Sequence, residues 1–277
     1  MNETDQVSGA PAGDPGEPPA GPGPWARKRS ARPRRSARPR RSSILLYGGA
    51  LLGGIAFATV FAFAVTRLHA RNEPTPFRPT GIPASVSTSL AEMMQLSPVP
   101  PATAPGFTLT DQSGRQVSLS SFRGSTVVLT FMDSHCTDIC PLVSREFIDA
   151  HKELGTSARR VVFVAVNVNP YHRRVSDVAS YSNAQRLDSI GSWYFLTGSL
   201  KSLHAVWDHY QIQVEAPSRN ADVIHTSLIY FIDPSGHERY VTSPMVDHTR
   251  KGMAFLPPGQ LAAWARGIAL VAGAVTR

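Results

Sequence analysis

The chain has 277 residues, a formal net charge of +8 and only two cysteines. This length suits one ordinary domain with additional segments, and so few cysteines exclude a small scaffold held together by disulfides. Nine of the 28 Lys and Arg residues lie within residues 1–43, so the excess positive charge is concentrated there and the rest of the chain is only mildly basic.

Residues 1–43 consist mainly of Pro, Gly, Ala, Ser and Arg. Such a composition buries too little apolar surface to offset the entropy of ordering, so we expect a disordered Arg/Pro-rich tail. A basic cluster can indicate nucleic-acid binding. Here the cluster directly precedes an uncharged apolar stretch, so we interpret it as a signal for membrane topology and predict no nucleic-acid partner.

The stretch ILLYGGALLGGIAFATVFAFAV, residues 44–65, is long enough to cross a bilayer as a helix. It is longer than the apolar region of a cleaved signal peptide, which predicts an uncleaved transmembrane anchor over residues 44–66. The pair Arg40-Arg41 leaves a twin-arginine export signal as the alternative. The Arg-rich N-terminal flank predicts a single pass through a bacterial plasma membrane, with a cytoplasmic tail and an extracytoplasmic globular domain.

Eight prolines lie between residues 72 and 105. This density predicts an extended, semi-rigid spacer over residues 67–105, with one helical turn compatible with residues 89–96. The spacer would separate the membrane from a folded domain, which we predict over residues 106–277.

Within this domain, strands and helices alternate as an α/β fold requires. A hairpin around the turn DQSGR (111–115) comes first, followed by a buried strand at 126–132. The later elements are predicted helices at 141–154, 175–187, 199–210 and 259–275, and predicted strands at 161–168, 193–196 and 227–232, the last of which continues into a hairpin.

Both cysteines lie in HCTDICP (135–141), where the strand at 126–132 passes into a helix. Spaced at i and i+4, Cys136 and Cys140 fall on one side of a helical turn, and a helix N-terminus favours a thiolate. A structural disulfide is one interpretation, but closing so short a loop stabilises a fold little. A redox couple and a site for a soft metal are the others.

A soft-metal site needs a ligand beyond two thiolates, and the chain has nine histidines. His225 ends the irregular segment APSRNADVI and precedes the strand at 227–232. This position allows it to reach the end of the sheet where the cysteines lie. From spacing alone, an ordinary loop histidine remains the alternative.

HCTDICP, together with His225 and the following TSLIYFIDPSG (226–236), resembles the SCO/SenC family. The resemblance extends over about residues 100–270 and includes the LTGS turn at 196–199. It implies a thioredoxin-like domain with an N-terminal hairpin and an inserted hairpin, preceded by a single membrane helix. It further implies that Cys136, Cys140 and His225 bind copper, as Cu(I) or Cu(II).

The resemblance implies a function as a copper metallochaperone that helps to assemble the binuclear copper centre of cytochrome c oxidase. The expected partners are the copper-containing subunit of that oxidase and a thiol reductant. The same cysteines, as a redox-active catalytic pair, would also suit an extracytoplasmic thiol–disulfide oxidoreductase or a thiol peroxidase. These activities are the alternative.

Three further features belong to the candidate site. Where the family often has D-P-x-x-D-T, this chain has NPYHRR (169–174), which predicts altered partner docking or tuning of the site. Asp138, between the cysteines, would orient a ligand or cap the helix. Met245, His248 and Met253 occupy a late loop, where they form either an auxiliary copper entry patch or ordinary loop surface.

Overall fold

The computed structural model describes residues 80–257 and 259–276. The predicted tail (1–43), the predicted membrane anchor (44–66) and residues 67–79 of the predicted spacer lie outside these residues. Among the residues that are described, no helix is both long enough and apolar enough to cross a membrane.

The described residues form five α-helices and twelve strands. The helices are α1 (Thr88–Met93), α2 (Ile139–Leu154), α3 (Val175–Ala184), α4 (Leu200–His209) and α5 (Gln260–Val275). The strands of the central sheet are β1 (Ser97–Thr103), β4 (Thr126–Met132), β5 (Val161–Asn167), β6 (Trp193–Leu196), β9 (Ile229–Ile232) and β10 (His237–Thr242). The short hairpins pair β2 (Thr108–Thr110) with β3 (Gln116–Ser118), β7 (Val214–Glu215) with β8 (Ile224–His225), and β11 (Asp247–His248) with β12 (Ala254–Phe255).

The central sheet has the strand order β1-β10-β9-β4-β5-β6. β4, β5 and β6 run parallel, whereas β9 is antiparallel to β4, and β10 is antiparallel to β9. A parallel β–α–β unit followed by an antiparallel strand pair and a final helix is the thioredoxin-like arrangement. The predicted mixed α/β, thioredoxin-like fold is therefore confirmed.

The fully buried strand β4 forms the centre of the core, because all seven of its residues are buried. Val128 and Met132 pack on the face covered by α1, α2, α3 and α5. Val127 and Leu129 pack on the opposite face, with residues of α4 and of the β2–β3 hairpin. Burial of one such side chain contributes about 1.5–3 kcal/mol, so a sheet covered on both faces supplies most of the stability.

Most predicted elements are found within a few residues of their expected bounds. The spacer is the exception, because its residues 97–103 form β1, an edge strand paired with β10 from Ser97↔Val241 to Thr103↔His237. The pairing shifts register between Pro98 and Ala102, where consecutive prolines lack N–H donors. An edge strand tolerates such prolines, so the folded domain begins earlier than residue 106.

Glu146 is buried on α2, and its Oε2 atom has no hydrogen-bond partner among the described residues. Burial raises the pKa of this carboxyl from its ordinary value of 4.5 to about 8. Between these two values the folded chain retains a proton that the unfolded chain releases. The free energy of unfolding therefore falls as the pH rises through this window, by at most about 1.4 kcal/mol per pH unit.

We predict that Glu146→Gln, which keeps the shape of the neutral acid, makes the protein more stable than wild type at pH 8 and has little effect at pH 4.5. Urea unfolding followed by circular dichroism at several pH values measures this difference. Glu153→Gln, an exposed position on the same helix, is the control and should change stability little at either pH. Equal effects of Glu146→Gln at both pH values would contradict the prediction.

Candidate functional site

The two cysteines lie where β4 turns into α2. The amide of Cys136 donates a hydrogen bond to the carbonyl of Asp133 at 3.2 Å, which turns the chain back towards the helix. The amide of Cys140, in the first turn of α2, donates to the sulphur of Cys136 at 3.4 Å. Asp138 occupies the N-cap position, but its side chain makes no capping hydrogen bond. The Cys136 sulphur therefore accepts the hydrogen bond of a backbone amide that a capping side chain ordinarily satisfies.

The two thiols have opposite acidities. The thiol of Cys140 donates to Cys136, and this hydrogen bond, with backbone amides, lowers the pKa of Cys136 from 9.0 to about 7 against the opposing effects of burial and of Asp133. The same hydrogen bond and burial raise the pKa of Cys140 well above its ordinary value. Both cysteines are free thiols. Near neutral pH a substantial part of Cys136 is therefore thiolate, while the buried Cys140 keeps its proton.

His225 lies at the end of β8, opposite Val214 of β7. Its Nδ1 atom is 3.0 Å from the carbonyl oxygen of Thr226, which can only accept, so Nδ1 carries the proton. Burial lowers the pKa of the imidazole, which keeps the ring neutral at pH 7. This tautomer leaves Nε2 with a free lone pair, as a metal ligand requires.

Cys136 and His225 line one cavity of about 600 Å³. It opens between the loop that joins β4 to α2 (residues 133–138, the cysteine loop), the segment before β9 and the β11–β12 hairpin. Its full lining is Asp133, Cys136, Thr137, Asp138, Ile139, Asp222, Val223, Ile224, His225, Ser227, Gly252, Met253 and Ala254. Cys140 does not line it, because its side chain is only 2% exposed and packs in the core beneath Cys136.

A second, shallower groove reaches Cys136 from the other side. His135 and Tyr181 are among its lining residues, and the ring of His135 stacks on that of His172 with centroids 3.6 Å apart. His135 therefore lines this groove and not the cavity of His225, although it lies beside Cys136 in a turn. Cys136 thus lines both the cavity of His225 and this second groove.

The NPYHRR segment supports the cysteine loop from inside the fold. Asn169 is buried, and its amide nitrogen donates to Asp133 at 2.8 Å. Arg173 is partly buried and donates through Nε to the carbonyl of Pro170 at 2.7 Å. The contact of Asn169 with Asp133 holds the start of the cysteine loop, and the two effects predicted for this segment, altered partner docking and tuning of the site, stay predictions.

The structure brings the predicted ligands together in part. Cys136 and His225 face the same cavity, and Cys140 contacts Cys136 from beneath. Within residues 80–257 and 259–276, no group of three or more His, Cys, Asp or Glu side chains is arranged to hold a metal ion. The set of Cys136, Cys140 and His225 as three simultaneous ligands therefore stays a prediction.

The late loop folds into the β11–β12 hairpin beside the cysteine loop. His248 Nε2 lies 2.8 Å from Asp138 Oδ1, a pairing that sequence reasoning missed because the two residues are 110 positions apart. Met253 lines the cavity of Cys136, whereas the sulphur of Met245 accepts a hydrogen bond from Gln95 at 3.1 Å. The three residues of the predicted copper entry patch therefore make separate contacts, and of the three Met253 alone lines the cavity.

With this fold and site, the chain belongs to the SCO1/SenC family, because the family model matches residues 97–252, more than half of its length. The SCO1 protein homolog of Bacillus subtilis is 29% identical over 139 residues, which cover 47% of this chain and 68% of that protein. The chain spans about half the length of the mitochondrial SCO2 relatives that it also matches.

Two other comparisons extend the set of similar proteins. A solved structure, Bradyrhizobium japonicum ScoI with copper bound, is 25% identical with a TM-score of 0.46, and the match covers 60% of this chain and 98% of that one. Chloroplastic peroxiredoxin Q from Oryza sativa subsp. japonica is 32% identical over 104 residues, which cover 38% of this chain and 46% of that protein. The similar proteins thus include both SCO proteins and a peroxiredoxin.

We predict that iodoacetamide alkylates Cys136 of the reduced protein much faster than Cys140, with a rate that reaches half its maximum near pH 7, since the thiolate is the reacting form. Cys140→Ala removes the thiol donor and should move this midpoint upwards, towards pH 9. Quenched alkylation followed by peptide mass spectrometry measures each site. Equal rates for the two cysteines, or a wild-type midpoint near pH 9, would exclude the predicted asymmetry.

Proposed function

We propose that this chain is a copper metallochaperone that binds one copper ion through Cys136, Cys140 and His225 and passes it to an acceptor protein. The observation that carries the proposal is the shared cavity, where the low-pKa thiol of Cys136 and the unprotonated Nε2 atom of His225 are both available. Membership of the SCO1/SenC family supports the same function.

The donor set suits copper as a cargo. Thiolates are soft ligands that favour Cu(I), and a neutral imidazole binds copper in either oxidation state. A cavity of about 600 Å³ leaves room for a ligand from an acceptor to enter before the original donors release the ion. Three donors with an open position permit transfer by ligand exchange, whereas a closed four-ligand site would retain the metal.

Binding must also displace protons. Cys136 and His225 are ready to bind at neutral pH, but Cys140 holds its proton because its pKa is raised. Copper binding by all three residues therefore releases the Cys140 proton and requires the segment of His225 to close on the cysteines. Affinity should fall as the pH drops below about 7, because protons then compete for Cys136.

The proposal includes a location and a partner. Residues 44–66 would anchor the chain in a bacterial plasma membrane, with the tail in the cytoplasm and the domain outside. The acceptor would be the copper-containing subunit of cytochrome c oxidase, as the family resemblance implies. A thiol reductant would keep both cysteines reduced, because an oxidising compartment otherwise favours their disulfide.

We predict that the full-length chain, purified and reduced without oxygen, binds one copper per chain and shows thiolate-to-copper charge-transfer absorption with Cu(II). His225→Ala should alter the spectrum and lower copper affinity by at least the roughly 10–100-fold that loss of a residue supporting a metal ligand costs, because it removes a ligand itself. His209→Ala, an exposed position at the end of α4, is the control and should bind like wild type. Tight binding that is unaffected by His225→Ala would remove His225 from the site, and absence of tight copper would overturn the proposal.

The asymmetric thiols favour a second candidate, a thiol–disulfide oxidoreductase. The Cys136 thiolate attacks one sulphur of a substrate disulfide, forms a mixed disulfide and releases the other sulphur as a thiolate. Cys140 then loses its proton and attacks Cys136, which forms the Cys136–Cys140 disulfide and releases the reduced substrate. A thiol reductant restores the pair. With a peroxide, Cys136 would instead pass through a sulfenic acid that Cys140 converts to the disulfide with loss of water.

Substitution of His225 separates these two functions. Thiol exchange needs only the cysteine pair, so His225→Ala should leave the reduction of a model disulfide or of hydrogen peroxide within about twofold of wild type, whereas Cys136→Ser should abolish it. Consumption of the disulfide or peroxide with a dithiol reductant measures the rate. Turnover by wild type with no tight copper binding would favour the second candidate, and negligible turnover would exclude it.

A further inference from the structure

Met253 lies outside the core that other methionines of this domain fill. Met94 and Met132 fill the core and are 0% and 1% exposed. Met253 is instead 65% exposed, yet it lines the cavity that contains Cys136 and His225. Burial of apolar surface therefore explains little of its placement.

The backbone of Met253 is held by a tight turn between β11 and β12. Its amide donates to the hydroxyl of Thr249 at 3.1 Å, and its carbonyl accepts from the amide of Thr249 at 2.9 Å. Gly252 adopts a φ of +77°, which the turn requires and which favours glycine. The turn thus presents the thioether from a defined backbone rather than from an open loop.

A side-chain pair links this hairpin to the cysteine loop. His248 on β11 contacts the carboxylate of Asp138, which lies between Cys136 and Cys140. Ala254, the neighbour of Met253, pairs directly with His248 across the hairpin. The contact between His248 and Asp138 therefore holds the β11–β12 hairpin, which carries Met253, beside the cysteine loop, which carries Cys136.

Met245 provides a comparison within the same part of the chain. It is 49% exposed and close in sequence, but its sulphur accepts a hydrogen bond from Gln95, and it does not line the cavity. The two methionines share side-chain chemistry and exposure to solvent. They differ in that Met253 lines the cavity that contains Cys136 and His225, whereas Met245 does not.

We propose that the thioether of Met253 is an additional copper ligand, which binds Cu(I) at the mouth of the cavity beside Cys136 and His225. The inference rests on the proposed function. A thioether is a soft donor that favours Cu(I) over Cu(II). Met253 lines the cavity together with Cys136 and His225, whereas Cys140 does not, so Met253 can complete a three-donor entry site before the ion reaches Cys140. His248 and Asp138 are positioning residues that hold its hairpin against the cysteine loop.

The test uses the full-length chain labelled with selenomethionine, loaded with Cu(I) without oxygen and measured by X-ray absorption at the selenium edge. Wild type should show copper at bonding distance from selenium. Met253→Leu, which keeps an apolar side chain of similar volume, should lose that signal and bind Cu(I) about tenfold more weakly in competition with a chelator. Met245→Leu is the matched control and should resemble wild type in both measurements.

The outcomes distinguish this inference from the function on which it rests. If wild type binds copper tightly but selenium has no copper neighbour and Met253→Leu has unchanged affinity, the thioether ligand is excluded while the site of Cys136 and His225 stands. If wild type binds no copper, both proposals fail. Circular dichroism should show that Met253→Leu is folded, as its exposure predicts.

The positioning role has its own measurement. His248→Ala should weaken the copper signal at the selenium edge and lower Cu(I) affinity, but it should leave the thiolate-to-copper absorption in place. In the Met253→Leu background, His248→Ala should have no further effect on affinity, because it acts through the methionine. Additive losses of affinity from the two substitutions would exclude that role.

Discussion

The hydrogen bond from the Cys140 amide to the Cys136 sulphur is the contact on which the rest of the site depends. It satisfies a backbone donor at the start of α2, which otherwise requires a cap or water. It also brings the two thiols together, so that the pKa of Cys136 falls and that of Cys140 rises. The same contact that begins a helix therefore creates a reactive thiolate.

The order of strands explains why distant residues meet at this point. β9 runs antiparallel to the buried strand β4, and Thr130 pairs with Ile229, so the end of β4 lies beside the start of β9. His225 comes shortly before β9 and therefore reaches the cysteine loop that follows β4. Adjacent strands of opposite direction thus combine a thiolate and an imidazole in one cavity.

The two proposed functions, copper transfer and thiol exchange, would both use this arrangement, and they differ in what His225 would contribute. Thiol exchange requires a nucleophilic Cys136 and a nearby resolving thiol, which the structure contains. Capture of a copper ion also requires an unprotonated ring nitrogen, which the contact between Nδ1 and Thr226 supplies. A partly exposed Cys136 above a buried Cys140 suits a site that opens for exchange, because one sulphur can be reached while the other is protected.

Strong local patterns made much of the fold predictable. β4 was recognisable because an unbroken apolar run fits a strand buried on both faces, and α4 because Ser199 caps its first turn. The strand β1 could not be recognised from the sequence, because its prolines are typical of a spacer and its pairing with β10 depends on residues far along the chain. The pairing of His248 with Asp138 escaped prediction for the same reason.

The sequence by itself determined that two cysteines stand at a strand-to-helix junction and that His225 precedes a buried strand, because local spacing and hydrophobic pattern encode both. Only the tertiary structure decided that Cys136 faces the cavity while Cys140 is buried, that Nδ1 of His225 is protonated, and that Met253 reaches the same cavity. Those properties arise from desolvation and from contacts between elements distant in sequence, which no local pattern encodes.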